Sequence, residues 1–276
     1  MNKLLSAGFT RLKKDKVFWM SVLLMAGLGI YISISNYSFS QTYGQTVVLD
    51  SNIFSHILLV PIVFSVFCSL FIGTEYSDGT IRNKIVVGHT RRAIYLANLI
   101  VCTAANLIIF AAYEAAYLCV GIPLFGFFQS DIRTVLLFTL CAAGICLTVS
   151  SLLTLIAMLC HSKAITTVLC ILGMIILLFT GTYIRSRLSQ PETYSDYSYS
   201  VNGELVSEGE HPNPLYLRGN KRKVYEFLYD FLPSGQSVQC QEMSSEHPGI
   251  LLLYSGIILI ASSGAGLCIF RRKDIK

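Results

Sequence analysis

The segment TEYSDGTIRNKIVVGHTRR, residues 74–92, is a polar stretch between two apolar runs. The runs at 53–73 and 94–118 are each long enough to cross a bilayer core, which takes about 20 helical residues. The segment is therefore predicted to be a loop between two membrane helices. Its basic residues outnumber Glu75 and Asp78, and by the positive-inside bias this places the loop on the cytoplasmic side.

A short helix is predicted inside this loop. Asp78 is placed to cap it, because the first N–H groups of a helix need an acceptor, and Gly88 is placed to end it by adopting a positive φ. Ile81 and Ile85 are four residues apart and share one face. We interpret the segment as a stiff element at the inner membrane surface that offers a mixed polar and apolar face to the cytosol. An ordinary charged loop that only sets topology is the alternative.

The composition indicates an all-α polytopic membrane protein. Of the 276 residues, 53% are hydrophobic and 13% are charged, which leaves too little polar surface for a soluble globule of this size. The net charge of +5 does not indicate nucleic-acid binding, because the basic residues lie at the ends of apolar runs, where anionic lipid and the positive-inside bias explain them. Membrane lipid is therefore an expected partner.

Six apolar runs are predicted to span the membrane, with both termini in the cytoplasm. They lie at 17–34, 53–73, 94–118, 134–158, 164–183 and 250–270. Among the short segments, all Lys and Arg residues except Arg133 fall on the predicted cytoplasmic side. Pro61 is predicted to kink the second span. Residues 35–52 form a short external loop, and residues 1–16 a basic amphipathic helix at the inner leaflet.

The polar stretch at 184–247 is predicted to be an extracellular insertion. It divides the chain into 1–183, 184–247 and 248–276, and it carries six basic and nine acidic residues, a net charge of −3. Asn202 and Gly203 indicate a hairpin turn. Apolar residues at 224, 227, 228, 231 and 232 predict an amphipathic helix that ends at Pro233 and Gly235 and lies on the outer surface or dips between spans.

Two polar residues of the third span, Asn106 and Glu114, are candidates for a translocation path. A carboxyl group in hydrocarbon costs about 2.5–3.5 kcal/mol, so such a residue usually faces the bundle interior. Alternatively, Glu114 lies close enough to the outer end of its span to reach the interface.

Seven of the nine cysteines lie in or beside apolar runs. The other two, Cys119 and Cys240, could face the outside, so one disulfide bridge between them is a possible pairing.

The sequence contains no signature of catalysis. There is no G-x-x-x-x-G-K-[ST] phosphate loop, no H-E-x-x-H and no G-x-S-x-G, and the five histidines are scattered between the two sides, so no catalytic or metal-ligating residues are predicted. If the protein moves a substrate uphill, the energy comes from a gradient or from a separate ATPase.

The run EYSDGTIRNK at 75–84, followed by Arg91 and Arg92 and a third span, resembles the cytoplasmic signature of the membrane subunits of type-2 ABC exporters. The layout is similar as well, with an N-terminal interfacial helix, six spans and an external insertion before the sixth. The resemblance implies a coupling helix that docks on a separate ABC ATPase, which binds the ATP and Mg, and a dimer with a second permease copy or a homologous permease. Carried over, the coupling residues are Glu75, Asp78, Gly79, Thr80, Ile81 and Arg82.

The resemblance favours a permease subunit that exports a small molecule, peptide or antibiotic through a bacterial plasma membrane and is itself not an enzyme. A second hypothesis is a sensory or immunity protein whose external domain captures a peptide. A third is a gradient-driven carrier that uses Glu114. The carrier predicts more than one buried ionisable group, and the sequence identifies only Glu114.

Overall fold

The computed structural model describes residues 1–201 and 204–273, and the side chains of these residues outside 196–208. The helices are α1 (Asn2–Lys14), α2 (Lys16–Tyr43), α3 (Val60–Ser77), α4 (Thr80–Val86), α5 (Arg91–Phe125), α6 (Ile132–Leu159), α7 (Lys163–Leu188), α8 (Gly219–Phe231), α9 (Pro233–Glu242) and α10 (Pro248–Arg272). Two 3-10 turns, Leu49–Asn52 and Ser55–Leu58, precede α3, and strands β1 (Thr193–Val201) and β2 (Glu204–Pro212) follow α7.

The prediction of an all-α polytopic membrane protein is confirmed. In the described part of the chain, six helical segments are long and apolar enough to cross a membrane: α2, the 3-10 turns with α3, α5, α6, α7 and α10. Helices α5 and α6 form the centre of the bundle, since most of their apolar windows are buried. Helices α2, α7 and α10 leave most of theirs exposed, as expected of surfaces that face lipid or another subunit.

The bundle has two chemically different ends. One holds α1, α4, the turn between α6 and α7, and the carboxyl end of α10; we call it the basic end. The other holds the α5–α6 connection, α8 and α9; we call it the insertion end. The hydrogen bonds described below hold the parts of each end together.

Two helices extend beyond the predicted spans. Helix α2 continues to Tyr43, nine residues past the predicted end of the first span, and α7 continues to Leu188. Pro61 does not kink a helix, because it lies in the first turn of α3, where its missing N–H has no intrahelical acceptor to lose. The two 3-10 turns before α3 bring the chain to this point.

Asp50 lies within the predicted external loop 35–52, but its side chain does not face solvent. Its side chain is buried, and Oδ2 accepts hydrogen bonds from the backbone N–H groups of Gln129, at 2.8 Å, and Ser130, at 3.0 Å. These bonds fasten the segment before α3 to the connection between α5 and α6. The carboxylate therefore has a structural role at the insertion end.

Small residues of α10 pack closely against the centre of the bundle. Ser262 Oγ of α10 lies 2.6 Å from Ser151 Oγ of α6. The ring of Tyr95 in α5 lies against Gly266, where a side chain would overlap the ring. Small side chains thus let α10 approach the centre of the bundle closely.

The insertion contains the predicted hairpin and amphipathic helix, together with a helix that the sequence did not indicate. Strands β1 and β2 pair antiparallel, while the predicted turn at Asn202 and Gly203 lies outside the described residues. Helix α8 ends before Pro233, as predicted, but Pro233 then begins α9, whose residues from Pro233 to Cys240 are all buried. Helix α9 lies against α6, α7 and the turn Ser55–Leu58.

The bridge left open between Cys119 and Cys240 does not form. Cys119 is exposed, Cys240 is buried within α9, and both thiols are free. Cys240 instead contacts Cys141 of α6. Burial inside the bundle, which the cysteine spacing could not indicate, separates the two residues.

Candidate functional site: the polar network at the basic end

The end of α3 carries a buried carboxylate, Glu75, that three other helices contact. Its side chain is 2% exposed. Glu75 Oε1 accepts hydrogen bonds from Nη1 of Arg11 in α1 and from Nζ of Lys84 in α4. Oε2 accepts one of 2.8 Å from Nδ2 of Asn98 in α5. We call these four residues the Glu75 network; its two cations compensate the charge that burial would otherwise penalise.

Arg11 fastens the N-terminal helix to this network through its guanidinium plane. The guanidinium carbon lies 3.6 Å from the ring centroid of Phe71, and Nη2 donates a hydrogen bond of 3.3 Å to the Phe71 carbonyl. Leu4 and Leu12 of α1 are buried on the same side of the chain. The predicted basic amphipathic helix is therefore packed against the bundle, chiefly against α5.

Tyr76, the next residue of α3, forms a second set of contacts. Its hydroxyl donates to the carbonyl of Met158 at the end of α6. Lys273 Nζ donates to the same carbonyl at 2.9 Å and to the Tyr76 hydroxyl at 3.0 Å. Burial in this position lowers the pKa of Lys273 to about 8. Arg91 Nη1 donates to the Lys273 carbonyl, so the residue after α10 is attached to both α3 and α5.

Helix α4 has a glycine at each boundary. Gly79 precedes it with a φ of 64°, and no side chain caps its N-terminus, so the predicted capping role of Asp78 is wrong. Asp78 belongs to the end of α3, and the left-handed turn at Gly79 directs the chain away from it. At the other boundary the prediction is confirmed: Gly88 has a φ of 94°, and its N–H and that of His89 bond to the carbonyls of Ile85 and Lys84, which is the Schellman arrangement.

The two faces of α4 differ as an attachment face and a free face. Ile81 is 1% exposed and packs into the core, with Ile85 partly buried beside it. Arg82 and Asn83 face outward, followed by Val86 and Val87, whose exposed fractions are 78% and 77%. Ile81, a predicted docking residue, therefore lies on the attachment face, and the two valines are not among the predicted residues. Two consecutive valines in an otherwise polar segment, just before Gly88, are the sequence signal that could have found them.

Most of the predicted coupling residues lie together at the basic end. Glu75 is buried beneath α4, Gly79 and Thr80 are partly exposed at its start, and Asp78 and Arg82 are exposed. Arg11 and Asn98, which complete the Glu75 network, were not identified because they lie far from the loop in sequence. The role of the predicted residues in coupling to an ATPase stays a prediction.

The two predicted path residues do not contact each other. Asn106 Nδ2 donates to the Cys146 carbonyl at 2.9 Å and to Ser150 Oγ at 3.0 Å, and so joins α5 to α6. Glu114, two turns further along α5, faces His56, with 3.7 Å between Oε1 and Nε2. The prediction that Glu114 is the only buried ionisable group of the spans is therefore wrong, because the His56 side chain is buried beside it.

A polar cleft of about 530 Å³ opens at the insertion end between the end of α7, α8, α9 and the start of α10. Arg185 lies in it, paired with Glu242 at 2.8 Å, and Arg222 lies in it, paired with Glu226 at 2.9 Å. Burial, then the nearby Glu242 carboxylate, raises the pKa of Tyr229 well above its usual value. The cleft thus offers charged and aromatic groups close to the end of the bundle.

A family model described as ABC-2 family transporter protein matches residues 4–200. The chain belongs to the ABC-2 transporter family. The matched region includes every residue of the Glu75 network and all of α4, whereas α8, α9 and α10 follow it in the chain. No curated protein matches the chain.

Membership makes this ABC-2 protein a multi-pass permease component of a transporter, a class that works with an ATPase subunit and as a dimer. The Glu75 network joins α1, α3, α4 and α5 of this permease component through one carboxylate.

Proposed function

We propose that the chain is the permease subunit of an ATP-driven exporter and that α4 is the element that docks on a separate ABC ATPase. One observation carries the proposal: α4 is fixed to the bundle by Ile81 and by Lys84 in the Glu75 network, while Val86 and Val87 stay exposed at its end. An element that is held stiffly on one side and free on the other passes on a partner's movement as a rigid displacement.

In this proposal the basic end and both termini are cytoplasmic. The ATPase binds ATP and Mg, and closure of its two copies pushes α4 and, through Glu75, the ends of α3 and α5. A second copy of the chain or a homologous permease completes the dimer. The exposed faces of α2, α7 and α10 supply the surfaces for that partner and for lipid. Asn106 and Glu114 are proposed to lie along the route of the substrate, which is a small molecule, peptide or antibiotic.

The test is co-purification with the ATPase encoded beside the permease gene. The permease carries the affinity tag, and the chain is compared with the double variant Val86→Asp and Val87→Asp and with the control Val224→Asp. Val224 is 54% exposed on α8, at the opposite end. We expect the double variant to lose the ATPase while keeping its yield and unfolding temperature. The control should keep the ATPase as well as its yield and unfolding temperature.

Recovery of the ATPase with the double variant at the level of the control would overturn docking through α4. Export is then tested separately, by ATP hydrolysis of the complex in nanodiscs with candidate peptides, drugs and sodium. A ligand that raises hydrolysis names the substrate class.

The cleft at the insertion end favours one further candidate function, capture of a peptide by a sensory or immunity protein. Its charged pairs and Tyr229 lie around a space that opens at the insertion end of the bundle. Binding of a peptide by the chain alone, with no ATPase recovered by any variant, would favour this second function over export.

A further inference from the structure

We propose that His56 and Glu114 form a proton-binding site inside the helical bundle, in which one proton is held between Nε2 of the imidazole and Oε1 of the carboxyl group. The proposal does not depend on the exporter function. It rests on the arrangement of two ionisable side chains from different elements, the turn Ser55–Leu58 and α5.

The orientation of the imidazole is fixed. His56 is 0% exposed and stacks on the Tyr113 ring, with 4.0 Å between ring centroids and 20° between planes. Its Nδ1 lies 3.1 Å from the Ile53 carbonyl oxygen. A carbonyl oxygen only accepts hydrogen bonds, so Nδ1 carries a hydrogen and the neutral ring presents a lone pair at Nε2.

That lone pair faces another acceptor. Nε2 and Glu114 Oε1 are 3.7 Å apart, both atoms are buried, and neither has a hydrogen-bond partner among the residues the structure describes. Two lone pairs repel each other, and two buried polar atoms without partners are costly. A single proton removes both penalties, because it converts the contact into a hydrogen bond whichever atom carries it.

The observed distance leaves no room for a bridging water between the two atoms. A water that donates to both atoms at about 2.8 Å would hold them about 4.4 Å apart, given the near-tetrahedral angle at its oxygen. The observed gap is shorter. Closing it to a hydrogen bond of about 2.8 Å needs a movement of about 1 Å by the turn or by α5. Glu114 keeps 12% of its side chain exposed, whereas His56 is fully buried.

The tyrosines around the pair already have hydrogen-bond partners. From α5, the Tyr113 hydroxyl bonds to Ser55 Oγ and the Asn52 carbonyl, and the Tyr117 hydroxyl donates to the Leu49 carbonyl. From the turn Leu49–Asn52, Asp50 Oδ2 accepts from two backbone N–H groups, while its Oδ1 is buried without a partner among the described residues. From α6, the Cys146 thiol lies near Glu114. His56 and Glu114 are the two members of this group whose partnerless atoms face each other.

The His56–Glu114 pair is structurally connected to the insertion end of the bundle. The turn that carries His56 also packs against α9. Binding of a proton that draws the turn toward α5 therefore alters the packing contact between the turn and α9. The bundle thus contains a site that responds to pH and is linked to α9, the buried helix of the insertion.

The experiment uses the full chain in nanodiscs with ¹⁵N-labelled histidine, titrated from about pH 5 to about pH 9. The imidazole signal lost in His56→Gln identifies His56. We expect this signal to move with pH, together with the infrared band of a protonated carboxyl group that is absent in Glu114→Gln. In Glu114→Gln the amide donates to Nε2 permanently, so the His56 signal becomes independent of pH. His247→Gln, in an exposed position, leaves the titration intact.

Three outcomes would overturn the proposal. A His56 signal that does not respond to pH shows that the pair takes up no proton. The same response in Glu114→Gln as in the unchanged chain shows that the imidazole acts alone. A response to sodium in place of choline at constant pH shows a cation site. If Glu114→Gln does not fold, the infrared band recorded for His56→Gln, which leaves the carboxyl group without its partner, makes the same comparison.

Discussion

Asn98 Nδ2 donates a hydrogen bond of 2.8 Å to Glu75 Oε2, joining the first turns of α5 to the end of α3, close to the start of α4. The same nitrogen lies 3.5 Å from the Met158 sulfur of α6. Since Arg11 and Lys84 bond to the other carboxylate oxygen, the Glu75 carboxylate contacts α1, α4 and α5 and joins all three to α3.

Removal of this carboxylate is predicted to destabilise the basic end. Glu75→Ala leaves Arg11 and Lys84 beside each other without a counter-charge, and breaking a buried ion pair costs about 3–5 kcal/mol. We expect the lower part of that range, because the Arg11 and Lys84 side chains remain 33% and 19% exposed. The measurement is the unfolding temperature in nanodiscs.

The matched control is Glu226→Ala, which removes an exposed ion pair with Arg222. Such pairs contribute about 0–1 kcal/mol, so the control should unfold close to the unchanged chain. Equal losses in both variants would contradict a central role for Glu75.

The two faces of α4 should respond differently to truncation. Ile81→Ala removes a side chain that is 1% exposed, and a buried Ile→Ala change costs about 2–5 kcal/mol. Val86→Ala, on the free face, should change stability by less than about 0.5 kcal/mol. Both are read from chemical unfolding of the same preparation; a stable Ile81→Ala variant would mean that α4 is not anchored by this residue.

Helix α9 depends on a glycine of α7. A Cβ at Gly181 would lie 2.7 Å from the backbone carbon of Ser234, so Gly181→Ala must displace the start of α9. We expect a loss of about 1–3 kcal/mol and faster proteolysis of the insertion. Gly173→Ala, on the same helix and with open space around the new Cβ, should be neutral or stabilising. Identical behaviour of the two variants would show that α9 does not rest on α7.

Burial of the Lys273 amino group against Tyr76 and Met158 should make the unfolding temperature of the chain depend on pH. Burial lowers the pKa of this group to about 8, whereas an unperturbed lysine titrates near about 10.4. Between these values the unfolded chain binds more protons than the folded one, so this group's contribution to stability rises with pH. The unfolding temperature of the unchanged chain should therefore rise relative to Lys273→Met from about pH 8 to about pH 10. A difference that stays constant or falls over this range would contradict the assignment.

The sequence determined the membrane fold, the polar loop at its basic end and the family. Six apolar runs can only be helices in a bilayer, because lipid offers no partners for backbone N–H and C=O groups. Local signals also sufficed for Gly88, whose positive φ ends α4. Each of these properties depends on residues close together in the chain.

The tertiary structure decided which distant residues meet. Arg11, Glu75 and Asn98 are separated by 64 and 23 positions, and no periodicity relates them. Pro233 illustrates the same limit, because a proline ends one helix and begins another equally well, and only burial against α6 and α7 selects α9. His56 and Glu114 read as unrelated polar residues of two segments. Packing of the Ser55–Leu58 turn on α5 makes them a pair, since the free energy of a buried polar atom depends on its neighbours in space.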